Sequence, residues 1–287
     1  MRSRTRLILG AAAVTALAGG IAVPQLASAA DPEGLRVIGL AGQGTRLVGF
    51  PTDDPGAGTA IGRITGLVGD TRLVGIDHRV QDGLLYGVGD QGGVYTLDAR
   101  ARATRTAAPA LPLDGSARYG VDFNPAADAL RVISARGQNL RLPMAVPGSP
   151  VAVDTPLTRP VVPATTPPTT EPALGLTGAA YTNNDLDATT TTTLFDIDTQ
   201  RDQVTIQSPA NSGQTSATGN LGVDFEAGTG FDAYSLLDPA GKTLAVLPYA
   251  LSGDVLYLVN PLTGAATAIG AVDDKTTSDI ALPLDQE

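Results

Sequence analysis

Few side chains in this sequence can do chemistry. One His and no Cys occur in 287 residues. That excludes thiol nucleophiles, Cys-ligated zinc, iron–sulfur clusters, disulfide frameworks and any site built on two histidines. His78 follows Asp77, the order of a general base oriented by a carboxylate. His78 also stands where Phe123, Tyr181 and Phe225 stand in related segments, which reads as an aromatic slot on a strand. Asp77, Asp122 and Asp224 recur behind Gly-(Ile/Val). Three carboxylates converging on one axis would hold a hard cation such as Ca²⁺. They would equally accept backbone N–H groups at strand ends, and the repetition favours that structural role.

Asn183-Asn184-Asp185-Leu186-Asp187 has the N-x-D-x-D opening of a calcium loop, which makes Asn183, Asp185 and Asp187 further metal candidates. The pattern then fails: position six is Ala188 rather than Gly, and position twelve is Leu194 rather than Glu. An EF-hand is excluded, leaving a looser Ca²⁺ site or a solvated acidic loop. Gly241-Lys242-Thr243 matches the end of a phosphate-binding loop, but its first glycine is missing at Leu236. Gly87-Val88-Gly89-Asp90-Gln91-Gly92 fits G-x-G-x-x-G, yet a strand, Val94 to Leu97, follows where a helix must open. These glycines read as hairpin turns. No G-x-S-x-G occurs. No catalytic residue and no cofactor-binding residue is assigned.

The elements that position these residues repeat. Gly75-Ile76-Asp77-His78, Gly120-Val121-Asp122-Phe123, the degraded Gly178-Ala179-Ala180-Tyr181 and Gly222-Val223-Asp224-Phe225 share one pattern. A second pattern is a short strand ending in a polar turn: Val94–Asp98, Leu194–Asp198 and Leu256–Asn260, with looser copies at Leu47–Phe50 and Asn139–Leu142. A whole hairpin recurs at Val37–Gly44, Leu85–Gly92 and Leu130–Gly137. Helical periodicity is nearly absent after the N-terminus, and runs of five to eight apolar residues alternate with Gly, Asp, Asn and Pro. A period near 45 residues, holding four antiparallel strands, is one propeller blade. The expected fold is therefore an all-β propeller. Five copies of the second pattern give five blades, and the chain length also allows six. The last strand, Asp279–Leu284, is expected to return to the first blade and close the ring. The Pro/Thr-rich segment 155–173 breaks the period and reads as a loop insertion in one domain; a two-domain split there is the alternative.

The N-terminus has the layout of a secretory signal peptide: Arg2, Arg4 and Arg6, an apolar run from Leu7 to Val23, and Ala27-Ser28-Ala29 as cleavage site. An uncleaved anchor is the alternative. The expected mature domain, residues 30–287, would be secreted, with no membrane association after cleavage. Losing three arginines moves the net charge from −10 to −13. Such an acidic chain is no partner for a nucleic-acid backbone.

The segments Leu73–Asp77, Leu85–Gly89, Val121–Pro125, Arg131–Arg141 and Ala179–Asn184 resemble the domain-of-unknown-function family 4394. Gly137-Gln138-Asn139-Leu140-Arg141 and Ala180-Tyr181-Thr182-Asn183-Asn184 are the most specific stretches, and the resemblance runs from about residue 35 to 272. It implies exported bacterial proteins, a propeller-like fold and no established activity. His78 departs from the family pattern, where an aromatic such as Phe is usual.

The expectation is a non-catalytic binding or interaction module for an extracellular ligand or protein, needing no cofactor. The alternative is a Ca²⁺-dependent, lactonase-like hydrolase using the channel aspartates. A passive surface component is a third reading.

Overall fold

The computed structural model describes residues 34–187, 189–284 and 286; residues 1–29, the expected signal peptide, lie outside them. The strands are β1 (Arg36–Ala41), β2 (Arg46–Pro51), β3 (Thr59–Arg63), β4 (Leu73–His78), β5 (Leu85–Gly89), β6 (Val94–Leu97), β7 (Ala103–Arg105), β8 (Tyr119–Asn124), β9 (Ala129–Ser134), β10 (Asn139–Pro143) and β11 (Ala152–Val153). They continue with β12 (Thr158–Pro160), β13 (Thr170–Pro172), β14 (Leu176–Tyr181), β15 (Leu194–Asp198), β16 (Gln203–Gln207), β17 (Thr215–Asn220), β18 (Gly230–Leu237), β19 (Thr243–Ser252), β20 (Val255–Val259), β21 (Ala266–Ala271) and β22 (Asp279–Ala281). Two single 3-10 turns, Pro55–Ala57 and Ala210–Ser212, are the helical content of the described residues.

The strands form five four-stranded antiparallel sheets, in the orders β22-β1-β2-β3, β4-β5-β6-β7, β8-β9-β10-β11, β14-β15-β16-β17 and β18-β19-β20-β21. The inner strands β22, β4, β8, β14 and β18 contact one another in a closed ring. This is a five-bladed propeller. The last strand does return to the first blade, with Ala281 opposite Ile38 and Asp279 opposite Leu40. The inserted segment pairs with itself as a small hairpin, β12 with β13, between the third and fourth blades.

Both faces of each blade are covered, so its strands read as nearly continuous apolar runs. Consecutive residues point to opposite faces and meet different neighbours. Val37 packs with Tyr249 and Leu251 of the fifth blade, whereas Ile38 and Leu40 pack with Leu73 and Ile76 of the second. Five apolar clusters fill the five blade junctions; the one between the third and fourth blades takes in Leu157 and Ala173 of the insertion.

Two sequence assignments are corrected. The Gly222–Phe225 copy is not an inner strand. It lies in the connection from β17 to β18, where Gly222 has φ 79° and Asp224 is exposed, while Phe225 is buried against Tyr257. The inner strand starts eight residues later, and Gly230-Phe231-Asp232 carries the pattern. In addition, Leu194–Asp198 is the second strand of its blade, whereas Val94–Leu97 and Val255–Val259 are third strands. The blade count survives because each blade still contributed one copy.

Candidate functional site

The inner strands present two successive layers to the channel. Gly75, Gly120, Gly178, Gly230 and Asp279 form one; two residues further on, Asp77, Asp122, Ala180, Asp232 and Ala281 form the next. The glycine layer is where inner strands crowd. A Cβ on Gly75 would lie 2.3 Å from Val121 Cγ2. Asp279 is the one side chain in that layer, on a blade that has Ala281 where three of the others have Asp.

The carboxylates tie blade to blade. Asp77 accepts the N–H of Phe123 (2.6 Å) and of His78 (2.6 Å). Asp122 accepts the N–H of Tyr181 (2.9 Å), and Asp232 accepts those of Leu282 (2.6 Å) and Ala233 (2.6 Å). Asp279 accepts the N–H of Ile76 (2.8 Å). At the Ala180 position the link is made instead by Asn184, which donates to Ala233 O (2.9 Å) and to Ser235 Oγ (2.8 Å).

One oxygen each of Asp77, Asp122 and Asp232 lies within 4.8 Å of the others. Of the predicted trio the structure brings together Asp77 and Asp122, and Asp232 takes the place assigned to Asp224. Burial first, then repulsion by Asp232, holds the Asp77 carboxyl well above the usual carboxylate range. Burial and then Asp77 raise Asp122 likewise; burial raises Asp279, and it pushes Asp232 up to about 6.

His78 forms no dyad with Asp77. Successive strand residues face opposite sides, and it is the His78 backbone that Asp77 binds. Neither imidazole nitrogen has a side-chain partner, and burial, partly offset by the Gly83 backbone, lowers the ring to about 4. The 183–187 loop is likewise committed elsewhere. Asp185 accepts Thr243 N and Oγ1 (3.0 and 2.6 Å), and Asp187 accepts Thr189 N and Oγ1 (2.8 and 2.7 Å). Asn183 donates to Thr191 O. Gly241 and Lys242 close the β18–β19 hairpin. Gly92, with φ 83°, closes the β5–β6 turn and accepts the N–H of Leu111 (2.9 Å), just as Gly44 accepts Leu73 N and Gly137 accepts Leu157 N (both 2.8 Å). The G-x-G-x-x-G match is therefore a repeated hairpin turn.

A cavity of about 510 Å³ opens at the mouth where the inner strands begin, lined by Arg72, Arg118, Glu226, Thr229, Lys275 and Ser278 among others. Arg118 lies across it. Its Nε donates to Ala227 O (2.7 Å), and Gly228, at φ 123°, leaves the space: a Cβ there would be 2.4 Å from Arg118 Nε. Lys275 faces Asp254 at 3.1 Å and Arg72 faces Asp90 at 4.0 Å, whereas no carboxylate of the described residues lies within 4 Å of Arg118. The mouth hydroxyls are spoken for: Thr229 donates to Glu226 O, Thr277 to Asp274 O and Ser278 to Leu40 O. Sequence reasoning missed this mouth because its residues come from connections without a shared pattern.

No helix among the described residues is long and apolar enough to cross a membrane. No curated protein matches the chain. Among solved structures it is similar to the gluconolactonase XC5397 from Xanthomonas campestris: 15% identity, 83% of this chain, 72% of that one, TM-score 0.45. It is also similar to a chain of the nidogen/laminin complex (11% identity, 88% and 100%, TM-score 0.47). A Bacteroides thetaiotaomicron protein of unknown function is similar as well (14% identity, 91% and 68%, TM-score 0.48). The model of one family, described as a domain of unknown function (DUF4394), matches residues 46–281, and the chain belongs to that family.

Proposed function

We propose that this is an exported, non-catalytic binding module that takes a small polar ligand carrying an anionic group at the inner-strand mouth. One observation carries the reading: Arg118 crosses a cavity of about 510 Å³ with no carboxylate partner among the described residues, in a chain of net charge −10. An arginine fork matches carboxylate or phosphate geometry. Nothing at this mouth pairs a nucleophile with a base. The test is thermal unfolding of the purified protein against a panel of small carboxylates and phosphate esters, with turnover assays on ester, lactone, glycoside and phosphate substrates. Some anions should raise the midpoint by mass action, Arg118→Ala should abolish the shift, and no substrate should turn over.

A second reading is a Ca²⁺-assisted hydrolase, favoured by the convergence of Asp77, Asp122 and Asp232 within 4.8 Å. That spacing suits oxygens around a hard cation, and each carboxylate keeps lone pairs beyond its backbone bonds. Asp77, Asp122 and Asp232 would hold the ion, which would supply a Lewis acid beneath the mouth. Turnover that requires Ca²⁺ and is lost in Asp122→Asn would replace the binding reading with this one.

A further inference from the structure

The fourth blade carries a second group of unused oxygens, on the face turned to the third blade and the insertion. Asp196 on β15 is 0% exposed, and neither carboxylate oxygen has a hydrogen-bond partner. Thr205 on β16 sits directly opposite it, 4% exposed, with Oγ1 unpartnered. Gln207, opposite Leu194 on the same face, has a buried, unpartnered Oε1; its amide nitrogen is fixed by Ala210 O (2.6 Å). The reverse face of the blade is apolar, with Phe195, Ile197 and Val204 packed on the fifth blade, so these oxygens all lie on one side.

We propose that this face is a Ca²⁺-type hard-cation site, with Asp196 as the charged ligand and Thr205 Oγ1 and Gln207 Oε1 as neutral ligands. Neither Asp196 oxygen accepts a hydrogen bond from an N–H or O–H of the described residues, so Thr205 does not resolve the arrangement. Arg131 does not resolve it either. Its guanidinium is spent on Asn139 (2.7 Å), Asp154 (2.8 Å), Asn211 (2.7 Å) and the Tyr181 hydroxyl (3.4 Å). Arg159 is committed to Asp198. The charges gathered at this junction are three guanidiniums, Arg131, Arg141 and Arg159, and three carboxylates, Asp154, Asp196 and Asp198, of which Asp196 alone forms no ion pair among the described residues. The free ligands are oxygens, the donors a hard cation takes. Entry is through the cleft of about 460 Å³ between the insertion hairpin and the outer strands of the blade, which Thr205 lines together with Arg159, Gln203 and Thr215.

Terbium(III) tests this, because it occupies Ca²⁺ sites and its emission is sensitised by nearby tyrosine. The chain has no Trp, and Tyr181 stands on the same face, opposite Leu194. The wild type should give saturable tyrosine-sensitised emission that Ca²⁺ displaces. Asp196→Asn should abolish it and Asp98→Asn, in an exposed turn of the second blade, should retain it. Thr205→Val should weaken the affinity about tenfold, roughly one lost ligand. Absence of saturable emission from the wild type overturns the proposal, as does its persistence in a folded Asp196→Asn protein. Should Asp196→Asn fail to fold by circular dichroism, unchanged affinity in Thr205→Val overturns it and the tenfold loss sustains it.

Discussion

Asp77 accepts the backbone N–H of Phe123, in the next blade, at 2.6 Å, while its other oxygen holds the N–H of His78 on its own strand at 2.6 Å. Asp232 repeats this arrangement with Leu282 and Ala233. A buried N–H left without an acceptor costs about 1–3 kcal/mol. Asp77→Ala is therefore expected to lower stability by about that amount. Asp77→Asn, whose amide oxygen still accepts one N–H, should lose less. Urea midpoints of the three proteins check this; an Ala variant as stable as wild type would show that the bridge is incidental.

The same carboxyls make stability depend on pH. Asp77, Asp122 and Asp279 stand above the ordinary carboxylate value, and Asp232 is raised to about 6. A raised folded-state value means that the native state binds protons more tightly than the unfolded chain. This contribution is full below about pH 4 and is lost as pH rises through 6. Thermal midpoints in chelator should therefore fall between pH 4 and pH 7. Asp232→Asn should flatten the part of the fall that centres near pH 6, and an unchanged profile in that variant would contradict the assignment.

His78 works in the opposite sense. Its folded value, about 4, lies below the ordinary 6.5, so its contribution is present above pH 6.5 and is lost as pH falls towards 4. Both ring nitrogens are buried without side-chain partners, so a side chain of similar shape and no polar atoms removes a penalty. His78→Phe should be neutral or stabilising at pH 5, by about 1 kcal/mol. It should also leave the fall caused by the aspartates more plainly visible. Destabilisation at pH 5, or loss of ligand binding at the mouth, would return His78 to a working role.

The sequence showed the architecture because both faces of every blade are buried: the apolar runs, the Gly-x-Asp steps and the hairpin glycines such as Gly44 and Gly92 each answer a constraint that recurs in several blades. It misled at Asp224, where Gly222–Phe225 copies the motif inside a connection and only the register of Gly230–Asp232 with β19 tells strand from loop. Asp279 and Asp196 were invisible for a related reason. Asp279 sits one layer away from the other aspartates, on a strand completed from the far end of the chain, and Asp196 stands inside a copy of the second pattern where the others have Thr96 and Leu258. Arg118 depends on Gly228, 110 positions away, for its place across the mouth.

The ring is closed by three residues of β22 and those just after them, and this gives the last prediction. Ile280 and Leu282 are 1% and 2% exposed in the cluster joining the fifth blade to the first. Burying each contributes about 1.5–3 kcal/mol. Leu282 N–H also satisfies Asp232, and Asp279 satisfies Ile76 N–H. A chain ending at Ser278 loses these terms together and leaves β1 with an unpaired edge facing the channel. The loss is comparable with the roughly 5–15 kcal/mol stability of a whole domain. The truncated protein should fail to unfold cooperatively, and a synthetic peptide spanning residues 277–287 should restore a transition in a concentration-dependent way. Were it instead to melt within a degree or two of the full chain, β22 would be an ornament on a ring held by the other blades.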